Sequence, residues 1–199
     1  MAEDESAAAV RELSAEERAA IITEQLKALH ASGARTIVFD IFPCELEGGY
    51  YYDFTRTWCL GYAPDDVLAV YEDVRGVYET LTRELRANMP HKLNQERTCD
   101  LYEAKNYPTL RSQPGTESGY IHGIGHGIGL NVHERPWSGP TSDAHDTLAP
   151  GTTFTIEPGL YFPERGFGVR IEDSYYTRPD GTFELLAPYP YDLVLPVRA

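Results

Sequence analysis

The sequence predicts an α+β domain built on antiparallel strands, and three observations carry that prediction. β-Branched and aromatic runs occur as two couples, 36–42 with 50–61 and 152–162 with 169–177, each joined by a glycine-bearing turn. Helical periodicity lies between and before these couples, with none of the strand–helix–strand alternation of a parallel sheet. A length of 199 residues with 42% apolar and 12% aromatic side chains suffices for one domain with a sizeable core.

Taken in order, residues 1–13 read as an acidic, disordered lead-in, and 14–199 as one domain. Ser14 and Glu17 make an S-x-x-E capping box that starts a helix running to about Ser32, where Gly33 stops it. "TIVFDIF" (36–42) and "YYYDFTRTWCLG" (50–61) flank "PCELEGG" and form the first hairpin. Asp65 or Asp66 caps the next helix, whose Val67, Val70, Tyr71, Val74, Val77, Tyr78, Leu81 and Leu85 form a core-facing stripe. A shorter helix covers Gln95 to Lys105 and ends before Pro108. The second hairpin turns at "PERGFG", and the closing "YDLVLPV" packs along the sheet.

Seventeen basic against 31 acidic residues give a net charge of -14, which repels a phosphate backbone or an anionic membrane. Neither nucleic acid nor membrane is expected as a partner. Cys44, Cys59 and Cys99 are odd in number and form no CxxC pair, so neither a disulfide framework nor a thiolate zinc site is indicated. With no leader-like or membrane-length apolar stretch, the expected location is the cytoplasm.

The chemistry starts from Asp40, inside "IVFDIF". A carboxylate at a strand centre, if buried without a partner, costs several kcal/mol, so a compensating cation is expected. On the partner strand, period two puts Asp53 on one face with Thr55 and Thr57, opposite Phe54 and Trp58. The second hairpin repeats the arrangement: Glu157 shares a face with Thr153 and Thr155, and Glu172 with Arg170. Four converging carboxylates raise one another's pKa values unless cations neutralise them. Two divalent metal ions match their charge.

An imidazole completes such a shell. "GYIHGIGHGIGLNVHERPW" (119–137) holds three of the six histidines, and His126 is the expected ligand. Oxygen-rich, nitrogen-poor coordination suits manganese, cobalt, iron or zinc. The interleaved glycines are expected to allow close backbone approach and positive φ. "HERPW" is not half of an H-E-x-x-H zinc helix, because Trp137 occupies the second histidine's place and Pro136 breaks the helix.

"HGIGHGIGLNVHE" (122–134), "DFTRT" (53–57), "TIEPGLYF" and "VRIED" together make the chain resemble the pita-bread metallopeptidases, in particular their aminopeptidase P and prolidase branch. The resemblance implies a pita-bread antiparallel sheet with covering helices. It implies metal ligation by Asp40, Asp53, His126, Glu157 and Glu172, with Asp53 and Glu172 bridging two divalent ions, manganese ahead of cobalt, zinc or iron. Glu157 would relay a proton. His122 and His133 would act on the substrate, which Arg170 also binds. The implied activity is hydrolysis between an N-terminal residue and proline, as an Xaa-Pro aminopeptidase or dipeptidase, with a homodimer as a further family expectation. His122 and "VRIED" favour the proline-specific branch over methionine aminopeptidases.

Members of the family carry a further helix and strand pair before the first metal aspartate, which this sequence lacks. The expected fold is therefore incomplete at its N-terminus, with an unpaired sheet edge. The alternative function is a non-catalytic pita-bread module that binds peptides or proteins, or an inactive fragment.

Overall fold

A computed structural model describes Ser14, Glu16, Glu17, Ala20 and residues 35–44 and 48–196. The chain divides into two units, Met1–Ala34 and Arg35–Ala199. In the first, the expected capping box is formed reciprocally: Ser14 N–H donates to Glu17 Oε2 at 2.9 Å, and Glu17 N–H to Ser14 Oγ at 3.2 Å. The lead-in 1–13, the body of the helix to Ser32 and the Gly33 stop lie outside the described residues.

In the second unit, β1 (Ile37–Ile41) pairs antiparallel with β2 (Phe54–Leu60), and the register sets Asp40 opposite Thr55. β1 is the edge strand of its sheet, which accounts for a departure from expectation: the Asp40 side chain is 37% exposed rather than buried. The other strand of the couple is mostly buried, with Thr55 and Thr57 on one face and, on the other, Phe54 tilted against Tyr189 and Trp58 edge-on to it.

Helix α1 (Asp65–Glu84) buries the predicted stripe from Val67 to Leu81, and Leu85 just beyond it, in the main core. The residue at its N-cap position is Pro64, with no side-chain cap; Asp65 and Asp66 occupy the first turn instead, where negative charge meets the helix dipole. Asp66 is tied to Arg35 and Arg165. Helix α2 (Lys92–Glu103) begins three residues earlier than the sequence suggests.

The second hairpin is interrupted. Where the sequence reads two long strands, the structure has β3 (Thr153–Ile156), β4 (Gly159–Phe162), β5 (Phe167–Arg170) and β6 (Asp173–Thr177). β3 pairs with β6 and β4 with β5 in one continuing register, broken at Glu157–Pro158 and Ile171–Glu172. Proline has no N–H to give the ladder, and the backbones of the two glutamates bond elsewhere: Glu157 N–H to Ile124 O at 2.8 Å, Glu172 N–H to Thr55 O at 3.1 Å. A short 3₁₀ turn, Pro163–Arg165, closes the tip with Gly166 at φ 70°.

Strand β7 (Phe183–Leu185), paired with β6, is not anticipated by the sequence reading; β8 (Val194–Leu195) runs parallel to β2, as the closing segment leads one to expect. Behind the sheet, Arg56 and Asp173 form an ion pair at 2.7 Å with side chains 1% and 0% exposed. Arg56 also donates to the carbonyls of Thr55, Glu172, Tyr189 and Pro190, while Tyr78 and Tyr191 donate to Asp173. This saturated network holds β2 against the end of β5 and the start of β6. Among the described residues no helix is long and apolar enough to cross a membrane.

Candidate metal centre

The register places the acids in rows. Thr55 pairs with Asp40 on one side and bridges to Glu172 on the other, and the hairpin register continues the row to Glu157. One step along the strands, Ser174 Oγ donates to the Asp53 carbonyl, Ser174 pairs with Thr155, and Thr155 N–H donates to the His126 carbonyl. Two neighbouring rungs, each crossing four of five chain segments, thus bring all five expected ligands to one place.

The distances agree. Asp40, Asp53 and Glu172 each offer a carboxylate oxygen within 4.8 Å of the others; so do His126, Glu157 and Glu172 with one ligand atom each. A third set, Asp53, His126 and His133, adds a histidine that the sequence reading reserves for the substrate. The rings of His126 and His133 meet edge-on with centroids 4.3 Å apart.

His126 Nδ1 lies 3.0 Å from the Gly127 carbonyl, which can only accept, so Nδ1 carries the proton and the Nε2 lone pair is free. That Nε2 stands 3.5 Å from Glu157 Oε1 and 3.7 Å from Asp53 Oδ2. Burial lowers the imidazole to about 4, so no proton on Nε2 joins it to the carboxylates near neutrality. His122 is oriented in the same way, by the Gly123 carbonyl at 2.6 Å, and its Nε2 faces the Tyr161 hydroxyl at 3.0 Å. Burial lowers it to about 4 as well.

The acids carry the opposite strain. Burial, then the charges of Glu172 and Asp40, push Asp53 up to about 8, and its Oδ1 is buried without a hydrogen-bond partner. Glu172 is raised to about 7, chiefly by burial, against the Thr55 hydroxyl that donates to it at 2.6 Å. Burial and the neighbouring Glu172 raise Glu157 well above the carboxylate range. An orphaned carboxylate oxygen, an imidazole lone pair and acids pushed toward neutrality form a donor set that fits divalent cations.

Arg170 does not stand free for a ligand. Its guanidinium donates to Asp40 Oδ2 at 2.5 Å, Tyr161 Oη at 2.9 Å and Thr55 Oγ1 at 3.1 Å. The cation expected beside Asp40 is thus partly supplied by the protein. Tyr161, which the sequence reading passes over, joins His122 to Arg170; it lies four residues beyond Glu157 with only Gly159 alternating between them, a period-two signal. A cavity of about 630 Å³ opens over the site, with Ile121 and Trp137 on its rim beside His133.

The glycines serve close approach. A Cβ on Gly125 would lie 2.1 Å from the Thr155 carbonyl oxygen, and one on Gly127 equally near that of Arg135. The expectation of positive φ fails in the His122–Glu134 segment; Gly119, just before it, is the position with φ 91°.

Residues 14–179 match the sequence profile of metallopeptidase family M24. The chain belongs to that family. Over 133 residues this M24 chain is 35% identical to the probable dipeptidase PepE of Mycobacterium tuberculosis, covering 67% of the chain and 32% of that protein. It is 33% identical over 140 residues to the Xaa-Pro dipeptidase of Pyrococcus furiosus, covering 68% of the chain and 36% of that protein. The crystal structure of the X-Pro aminopeptidase from Thermotoga maritima superposes with a TM-score of 0.67 at 31% identity, over 81% of this chain and 42% of that one. The α+β pita-bread fold expected from the motifs is therefore the fold observed, and the chain spans about a third of the length of these curated relatives.

Proposed function

We propose that this M24 chain carries the metal centre of a dinuclear-metal hydrolase that cleaves the bond between an N-terminal residue and proline, as an Xaa-Pro aminopeptidase or dipeptidase. The observation that carries the proposal is a pair of clusters that share Glu172: Asp40 and Asp53 meet it on one side, and His126 and Glu157 on the other, with the free Nε2 of His126 beside both Asp53 and Glu157. The metals would be held by these five residues, Asp53 and Glu172 serving both; manganese suits the set best, and cobalt, zinc or iron are close substitutes. The proline specificity is drawn from the names of the relatives and the histidine pattern.

When bound, two such ions supply charge neutralisation, polarisation of the scissile carbonyl and acidification of water. The protein's own groups do the rest. Glu157, opposite Glu172 and beside His126, takes a proton from the attacking water and returns it to the departing proline nitrogen. His133, at the cavity wall, orients the substrate carbonyl and stabilises charge on its oxygen, while His122, whose Nε2 faces the Tyr161 hydroxyl, contacts the substrate beside it. Arg170 fixes Tyr161 and Asp40 and presents its face to the cavity.

The test is hydrolysis of Ala-Pro, Ala-Pro-Phe and Ala-Ala-Phe with added manganese and with chelator. Chelator-sensitive cleavage of the proline peptides alone supports the reading. Equal cleavage of Ala-Ala-Phe removes the proline specificity, and tight metal binding with no hydrolysis favours a peptide-binding module.

A further inference from the structure

We propose that Gln95, in the first turn of α2, is a positioning residue that sets the backbone of 120–124 and through it both His122 and Glu157. The Gln95 side chain is 3% exposed, a position where an amide is tolerated only if its hydrogen bonds are made. They are. Its Oε1 accepts from Ile124 N–H at 2.7 Å and from the Tyr120 hydroxyl at 2.8 Å, and its Nε2 faces the His122 carbonyl at 3.4 Å.

Ile124 then passes the constraint on. Its N–H is held by Gln95 while its carbonyl receives Glu157 N–H at 2.8 Å. One peptide segment therefore hangs between a helix side chain and the backbone of the proton-relaying glutamate. Glycines at 123 and 125 give this segment little conformational preference of its own, so an external clamp has to supply it. The clamp carries His122 as well, whose ring reaches Tyr161 and comes within 4.0 Å of Glu157. The hydrogen bonds of the Gln95 side chain go to the His122 carbonyl, the Tyr120 hydroxyl and the Ile124 N–H and not to a cavity-lining side chain, so it acts through the loop.

The proposal is tested on the full chain with Gln95→Leu, Gln95→Glu and Tyr120→Phe, using two readouts. The first is the side-chain histidine ¹H–¹⁵N spectrum of metal-free protein, with exposed His145 as reference. The second is manganese affinity by calorimetry, which rests on the metal reading above. Gln95→Leu is expected to shift the His122 resonances, leave His145 unchanged and weaken manganese binding by about 10–100-fold, as loss of an outer-shell partner does. Gln95→Glu, which keeps the acceptor for Ile124 and Tyr120 but replaces the donor facing the His122 carbonyl, is expected to recover part of the loss. Tyr120→Phe shifts the same signals less and serves if Gln95→Leu does not fold. A lowered melting temperature with His122 signals and manganese affinity like the parent's would reduce Gln95 to a packing residue and overturn the proposal. If the parent chain takes up no manganese, the metal reading fails, and the histidine spectrum alone decides on Gln95.

Discussion

Glu157 and Glu172 stand at the same rung of one hairpin, where its own pairing stops. Ile156 pairs with Asp173 before the gap and Gly159 with Arg170 after it, so the register sets the two glutamates opposite each other. Each sends its backbone N–H to another segment, Glu157 to Ile124 and Glu172 to Thr55. The hairpin is thereby tied to both neighbouring segments at this rung, while Ile171 N–H still reaches the Pro158 carbonyl at 3.3 Å. Two buried acids at one rung resist joint ionisation, and a cation between them removes the resistance.

That resistance sets a pH dependence. With Asp53 near 8 and Glu172 near 7, against about 4 when unfolded, the native state holds protons that the unfolded state gives up. Their contribution is full below pH ~4 and is lost as pH rises through about 7 to 8. His122 and His126, lowered to about 4, contribute above pH ~6.5 and lose that contribution as pH falls toward 4, which offsets the carboxylate trend below pH ~6.5. Metal-free protein is therefore expected to lose stability from about pH 6.5 to 8.5, and Asp53→Asn to lose less, by on the order of a few kcal/mol. Urea unfolding in chelator measures both, and manganese should raise the melting temperature more at pH 8 than at pH 6.

The Arg56–Asp173 pair makes a stability prediction. Arg56→Met leaves the buried Asp173 without its cationic partner and the Tyr189 and Pro190 carbonyls without their side-chain donor, and is expected to destabilise the chain by about 3–5 kcal/mol in urea. Because Arg56 holds the Glu172 carbonyl from behind, manganese affinity should fall with it.

Two glycines should respond in opposite ways. Gly125→Ala drives a methyl against the Thr155 carbonyl and is expected to destabilise by about 2 kcal/mol or more while displacing His126. Gly76→Ala sits on the exposed side of α1 with nothing within 4 Å, and is expected to stabilise by about 0.5–1 kcal/mol. Paired thermal melts decide both.

The parts of the fold that local physics controls were legible in the sequence. The Val67–Leu85 stripe, the Ser14–Glu17 box and the first hairpin follow from periodicity and turn residues. What escaped depends on partners remote in sequence. The break at Glu157–Pro158 requires Ile124 to receive the glutamate's N–H, and the exposure of Asp40 follows from β1 being an edge. Strand β7 carried a signal in "RPDGT", whose Asp180–Gly181 turn precedes Phe183. In the site, the convergence of Asp40, Asp53, His126, Glu157 and Glu172 was legible because strand alternation and motif spacing agree. Gln95, Arg56 and Tyr161 were not singled out, since each takes its meaning from a neighbour brought by another element.

The most direct test of the account is a calorimetric titration of chelator-stripped chain with manganese, repeated on Asp53→Asn and Glu172→Gln. Two equivalents are expected to bind the parent chain, and both variants to lose more affinity than the ~10–100-fold of an outer-shell change. No uptake by the parent chain, or uptake indifferent to both substitutions, would contradict it.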